Sequence, residues 1–151
     1  MHGQRMLTAI QFLAILTCTV FAGAAIYISL VEHPARMSCD TRIAATVWAP
    51  SYKRATLMQA PLAVVSFFSG VAAWLLGGGI MWFVGAVLIG SVVPFTLIII
   101  KRTNDQLLTP GRDLASSDTR ALLEKWGKLH AVRSVLSFSA SIIFVYQILK
   151  V

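Results

Sequence analysis

Trp126, His130 and Arg133 stand at i, i+4 and i+7 in the last hydrophobic segment, so a helix there presents all three on one face. Histidine exchanges a proton near neutral pH, and arginine is a permanent cation that can hold developing negative charge. Three other stretches carry the rest of the reactive groups: Glu32-His33-Pro34, Tyr52-Lys53-Arg54 with Gln59 about a turn further on, and Lys101-Arg102-Thr103-Asn104-Asp105. Two of the three histidines belong to this set. One chemistry open to these residue types is proton transfer beside fixed cationic and amide donors. Another is an N/O metal site for iron or copper, built from His33, His130 and one or two of Glu32 and Asp105. No dense signature such as HExxH accompanies it, and bis-histidine haem ligation by His33 and His130 is a third form. Arg133 can also act structurally, pairing with Glu32 or Asp105 to staple two helices.

The elements must bring these stretches to one end of the molecule. No charged residue occurs from Met6 to Val31, nor from Ala55 to Ile100. A bilayer core of roughly 30 Å needs about 20 apolar residues, so the first stretch makes one span. The second is long enough for two, divided at Gly77-Gly78-Gly79. Near the end, the uncharged run Ser134–Leu149 has only 16 residues. At 1.5 Å per residue that is about 24 Å, so the crossing helix must begin near Leu129 and carry His130 and Arg133 to the membrane edge. The expectation is an all-α, integral membrane, up-and-down four-helix bundle. Residues 1–151 form one domain with spans of about 6–31, 55–76, 80–100 and 129–150.

In such a bundle the segments 32–54 and 101–128, read as two long loops, share one face, and the termini share the other with the glycine turn. The two long segments carry ten of the lysines and arginines, Arg36 among them, against only Arg5 and Lys150 opposite. The positive-inside rule then places the long segments in the cytoplasm and both termini outside. Thr109-Pro110-Gly111 reads as a turn, and Ser116 or Ser117 as the cap of a helix with Asp118 in its first turn. Leu122, Leu123 and Trp126 make an apolar stripe there, predicting an amphipathic helix that lies in the interface before the fourth span or runs into it. Trp48 is expected at the same interfacial level. Lys53, Arg54, Lys101 and Arg102 suit anchoring at helix ends. Pro61 and Pro94 each free a carbonyl one turn back, and Gly85 and Gly90 suit close helix packing.

A content of 57% hydrophobic and 13% charged residues, with mean hydropathy +0.75, excludes an ordinary soluble domain. The net charge of +7 sits in the membrane-flanking segments, which anionic lipid explains without nucleic acid. The first apolar stretch runs past Ala22-Gly23-Ala24, too long for a signal peptide, and is read as a retained helix. Cys18 and Cys39 have no CxxC spacing and make no recognisable pair.

Taken in order, Glu32-His33-Pro34-Ala35-Arg36, Trp48-Ala49-Pro50-Ser51-Tyr52, Thr103-Asn104-Asp105 and Trp126-Gly127-Lys128-Leu129-His130-Ala131-Val132-Arg133 resemble the anthrone-oxygenase family. These are small membrane proteins, many of them catalogued only as a domain of unknown function, and the resemblance covers all four helices. It implies oxidation of an anthrone, a tricyclic phenol-ketone, to an anthraquinone by O2. A base must remove a proton from the carbon opposite the ketone, and His130 suits that step. Arg133 and Asn104 are the candidate oxyanion partners, and His33 with Glu32 the orienting or proton-relay groups. Trp126, Tyr52 and Gln59 are the candidate substrate-binding residues, the rings stacking on a flat aromatic. An apolar substrate would enter from the bilayer, between helices, and no cofactor is required, iron or copper being the alternative. The rival class is a non-enzymatic membrane protein, a small-molecule carrier or accessory subunit, that homo-oligomers could assemble into a path. A carrier needs polar groups deep in the bundle, where Gln11, Thr17 and Gln59 are the main ones expected.

Overall fold

A computed structural model describes residues 2–150. Four helices, α1 (Gly3–Met37), α2 (Thr41–Gly78), α3 (Ile80–Leu107) and α4 (Ser117–Leu149), are each long and apolar enough to cross a membrane, and no strand occurs among the described residues. Each helix packs on its neighbour in sequence, and α1 closes the ring against α4. Apolar side chains stand outward at mid-helix, as Leu57 (78% exposed) and Ile98 (75%) do. Such a surface is stable only against lipid, and the chain is a multi-pass membrane protein.

The helices outrun the charge-free spans. Only Ser38–Asp40 separates α1 from α2, so the segment 32–54 is almost wholly helical rather than a loop. Asp40 caps α2 by accepting from the Ile43 amide at 3.0 Å. Absence of charge marks the hydrocarbon core, whereas a helix continues into the headgroup layer, where charged side chains are solvated. The amphipathic segment is likewise not a separate interfacial helix. It forms the first turns of α4, which Ser116 caps through the Thr119 amide at 3.2 Å. Its Leu123 and Trp126 turn inward, onto Ile28, Ala44, Trp48 and Ile100. Trp48 is therefore no interfacial anchor: it is 1% exposed and stacked on Tyr52 at 5.1 Å.

Three local devices close the bundle. Gly77 and Gly79, at φ 91° and 94°, reverse the chain between α2 and α3 where a side chain would be strained. The predicted turn forms at Thr109–Arg112, with the Arg112 amide donating to Thr109 O at 3.3 Å. Arg120 on α4 donates to Met37 O (2.6 Å) and Cys39 O (3.1 Å), satisfying carbonyls at the end of α1.

Below the site the core is built from small residues, Ala14, Cys18, Ala25, Ala63, Ala86 and Ala140, around Phe21, Trp82 and Phe144. Small residues let backbones approach, and Ser66 of α2 donates across the interface to Ala14 O at 3.0 Å. Cys18 is buried, Cys39 exposed, and both are free thiols. One irregularity matters for the site: α1 makes a π-helical turn at Ile28–Glu32. One extra residue in a turn rotates everything beyond it by about 100°.

Candidate functional site

His130 is 1% exposed, and its Nδ1 lies 3.0 Å from Ser29 Oγ, in the π turn of α1. Ser29 Oγ is 2.8 Å from Ser134 Oγ, which donates to Ala25 O at 2.9 Å. Each hydroxyl has one proton and a carbonyl only accepts, so the direction of the chain follows. Ser134 spends its proton on Ala25, Ser29 donates to Ser134, and His130 Nδ1–H donates to Ser29. Nε2 is left with its lone pair. The ring lies against Trp126, centroids 4.8 Å apart and 27° between planes, which fixes its tilt.

One turn along α4, Arg133 Nη2 donates to Gln59 Oε1 at 2.7 Å, and the guanidinium sits 5.5 Å from the Phe21 ring centre. The ion pairs among the described residues are Glu32–Arg36, Lys101–Asp105 and Arg120–Glu124. Arg133 thus forms no staple with Glu32 or Asp105: a neutral amide and an aromatic face are its partners. A desolvated cation without a counter-ion costs several kcal/mol, and an arriving anion offsets that cost. His130, Arg133, Trp126, Tyr52, Gln59 and Arg36 are among the residues lining one enclosed cavity of about 10 Å³, room for about one water.

A second cluster adjoins Trp126. Glu32 accepts hydrogen bonds from Arg36 and Ser51, and Arg36 Nη1 lies 3.5 Å from His33 Nδ1. The His33 ring, buried, is 5.2 Å from that of Trp126 and lies directly over Gly127. A Cβ at Gly127 would fall 2.5 Å from His33 Nε2, so glycine is what lets this imidazole seat. Arg36 is itself 6% exposed, a buried member of the cluster rather than a solvated loop cation.

Asn104 and Asp105 do not join the site. Asn104 is 2% exposed with both amide atoms unpartnered, yet it is not among the residues lining the His130–Arg133 cavity. Asp105, one position on, turns outward and pairs with Lys101 at 2.5 Å. Thr103 and Asn104 fill the inward arc of this helix, and the next step of about 100° carries Asp105 out of it. The set His33, His130, Glu32 and Asp105 is therefore not assembled, and no three His, Cys, Asp or Glu side chains gather among the described residues.

Ser29, Ser134, Arg36 and Ser51 carry contacts that the sequence reading overlooked. A signal for one of them existed: His130, Ser134, Ser137 and Ser141 recur at helical spacing. These serines, together with Ser66, put more polar character at depth than expected. All are engaged, Ser137 with Arg133 O and Ser141 with Cys18 Sγ, so they act as interhelical and local bonds rather than as a polar path.

The family model described as anthrone oxygenase matches residues 48–143. That region holds Tyr52, Gln59, Asn104, Trp126, His130 and Arg133; Glu32, His33 and Ser29 precede it. The anthrone oxygenase tpcL of Aspergillus fumigatus is 35% identical over 77 residues, 49% of this chain and 48% of the relative. The chain spans about half the length of that curated relative. No solved structure matches.

Proposed function

This chain belongs to the anthrone-oxygenase family, and on that premise we propose that it is a membrane-embedded oxygenase acting on an apolar, anthrone-like aromatic. The reaction converts a ring CH2 and O2 to a ring C=O and H2O. His130 Nε2 takes the first proton, leaving an enolate whose charge rests on the ketone oxygen. Arg133, steadied by Gln59, holds that oxygen. The electron-rich anion passes an electron to O2, the resulting pair joins to form a peroxide anion on carbon, and the proton held on His130 returns to make it a hydroperoxide. Loss of the second C–H proton with cleavage of the O–O bond leaves the quinone carbonyl and water. Trp126 and Tyr52 wall the place of the oxygen-bearing edge of the aromatic, while His33 braces Trp126 and is itself held beside Arg36 and Glu32. The site end of the bundle faces the cytoplasm, supported by the charge asymmetry of the long segments.

The observation that carries this reading is the pairing within two turns of α4. A histidine with Nδ1–H committed to Ser29 stands beside a half-buried arginine that has no acid partner. A proton acceptor beside an oxyanion holder is what enolisation requires. The test is oxygen uptake and anthraquinone absorbance with an anthrone and the detergent-purified protein. Wild type should consume one O2 per quinone, and His130→Ala should lose roughly 100-fold or more of the rate while remaining folded. Undiminished turnover by His130→Ala would overturn the assignment.

A further inference from the structure

Around the His130–Arg133 cavity, four buried nitrogen groups have no hydrogen-bond partner: Arg36 Nε, Gln59 Nε2, Trp126 Nε1 and Arg133 Nε. All four are donors. Against them the cavity-lining side chains offer one free acceptor, the Nε2 lone pair of His130. Two guanidinium groups face it against the single carboxylate of Glu32, an excess of one positive charge. Buried polar groups are nearly always satisfied, so four donors against that one lone pair mark the place of an accepting atom, a carbonyl or anionic oxygen.

A cavity of about 10 Å³ can take such an atom but not the molecule that bears it. The space for the rest lies next door. A groove of about 670 Å³ runs between α1 and α2, within the range of small-molecule sites. It shares the wall of Ile28, Ser51, Ala55 and Gln59 with the cavity, and Tyr27, Val47 and Met58, all lipid-facing, form its outer part. Gln59 is 1% exposed and has its unpartnered Nε2 at this shared wall.

We propose that the α1–α2 groove is a lateral, bilayer-facing binding site for a flat apolar ring system, whose edge oxygen, a ketone or its enolate, reaches past Gln59 into the donor-lined cavity. This assignment takes its ligand class from the oxygenase reading, but it is a statement about binding and stands apart from turnover. Shape recognition belongs to the groove, and discrimination for an acceptor oxygen belongs to Gln59, Arg133 and Trp126.

The experiment is equilibrium binding of two probes to the wild-type protein in detergent, followed by quenching of tryptophan fluorescence. Anthraquinone carries edge oxygens and cannot undergo the proposed oxidation; anthracene is the same tricycle without oxygen. Anthraquinone should bind about tenfold or more tighter, the value of a charge-assisted hydrogen bond. Gln59→Leu should bring the two probes close to parity by weakening anthraquinone alone. Ala55→Trp should abolish binding of both, and Val47→Trp, at an exposed position that leaves the core untouched, should weaken both. Equal affinity of the two probes for wild type, or full binding by both groove variants, would overturn the proposal. Probe binding as described without anthrone turnover leaves this site standing and defeats the oxygenase reading. Turnover insensitive to both groove variants does the reverse.

Discussion

Ser29 on α1 and His130 on α4 meet at 3.0 Å across 101 positions of sequence, and this contact sets which imidazole nitrogen is free. The π turn at Ile28–Glu32 holds Ser29, and Ser134 relays the bond to the Ala25 carbonyl. The imidazole on α4 is thus oriented by a hydroxyl of the neighbouring helix.

Removing that hydroxyl should therefore alter the histidine without unfolding the bundle. Ser29→Ala is expected to lower kcat about tenfold, by letting the tautomers mix, with Ser29→Thr retaining activity. Nitrogen NMR of His130 in the same variants separates this from a packing defect: wild type should show Nδ1 protonated, and Ser29→Ala a mixture. A single unchanged tautomer in Ser29→Ala would count against the relay.

Substitution of Arg133 should separate stability from activity. Arg133→Met removes a half-buried charge that has no acid partner, so stability should not fall by more than about 1 kcal/mol, the loss of the Gln59 bond offsetting the gain. Turnover should drop roughly 100-fold or more, as for loss of an oxyanion donor. A large fall in melting temperature would instead mark Arg133 as structural.

Gly127 should be intolerant of even one methyl. Gly127→Ala places Cβ 2.5 Å from Nε2 and 2.6 Å from Cδ2 of His33. Overpacking of this kind costs about 1–3 kcal/mol. In a double-mutant cycle, His33→Ala should rescue part of that loss; strictly additive effects would show that the two residues do not collide.

Turnover is expected to survive chelation. With Asp105 on the outer surface beside Lys101, the His33, His130, Glu32 and Asp105 ligand set does not assemble. Elemental analysis before and after EDTA, with activity measured in both samples, checks this. A stoichiometric metal whose loss ends turnover would require a different site.

Cys39 reports the orientation in the membrane. It is exposed in the link between α1 and α2, whereas Cys18 is buried. If the long segments are cytoplasmic, a membrane-impermeant maleimide should label Cys39 in inverted vesicles and not in intact cells. Labelling of intact cells would reverse the topology.

The number of crossings was legible in the chain, because bilayer thickness sets a minimum charge-free length and three glycines supply the one reversal within it. The shared face of Trp126, His130 and Arg133 was legible for a similar reason, since spacing within one helix is a local property. Even the cap at Ser116 and the turn at Thr109–Arg112 follow from neighbouring residues alone. What a helix faces is another matter. The burial of Trp48 and Arg36, the exclusion of Asn104 from the cavity and the Ser29–His130 contact all depend on how each helix is rotated about its axis. That rotation is decided by packing against other helices and, in α1, by a single π turn at Ile28–Glu32 that resets everything after it. A rotation of about 100° exchanges one neighbour for another without any change in local pattern, so only the tertiary structure could settle which side chains meet.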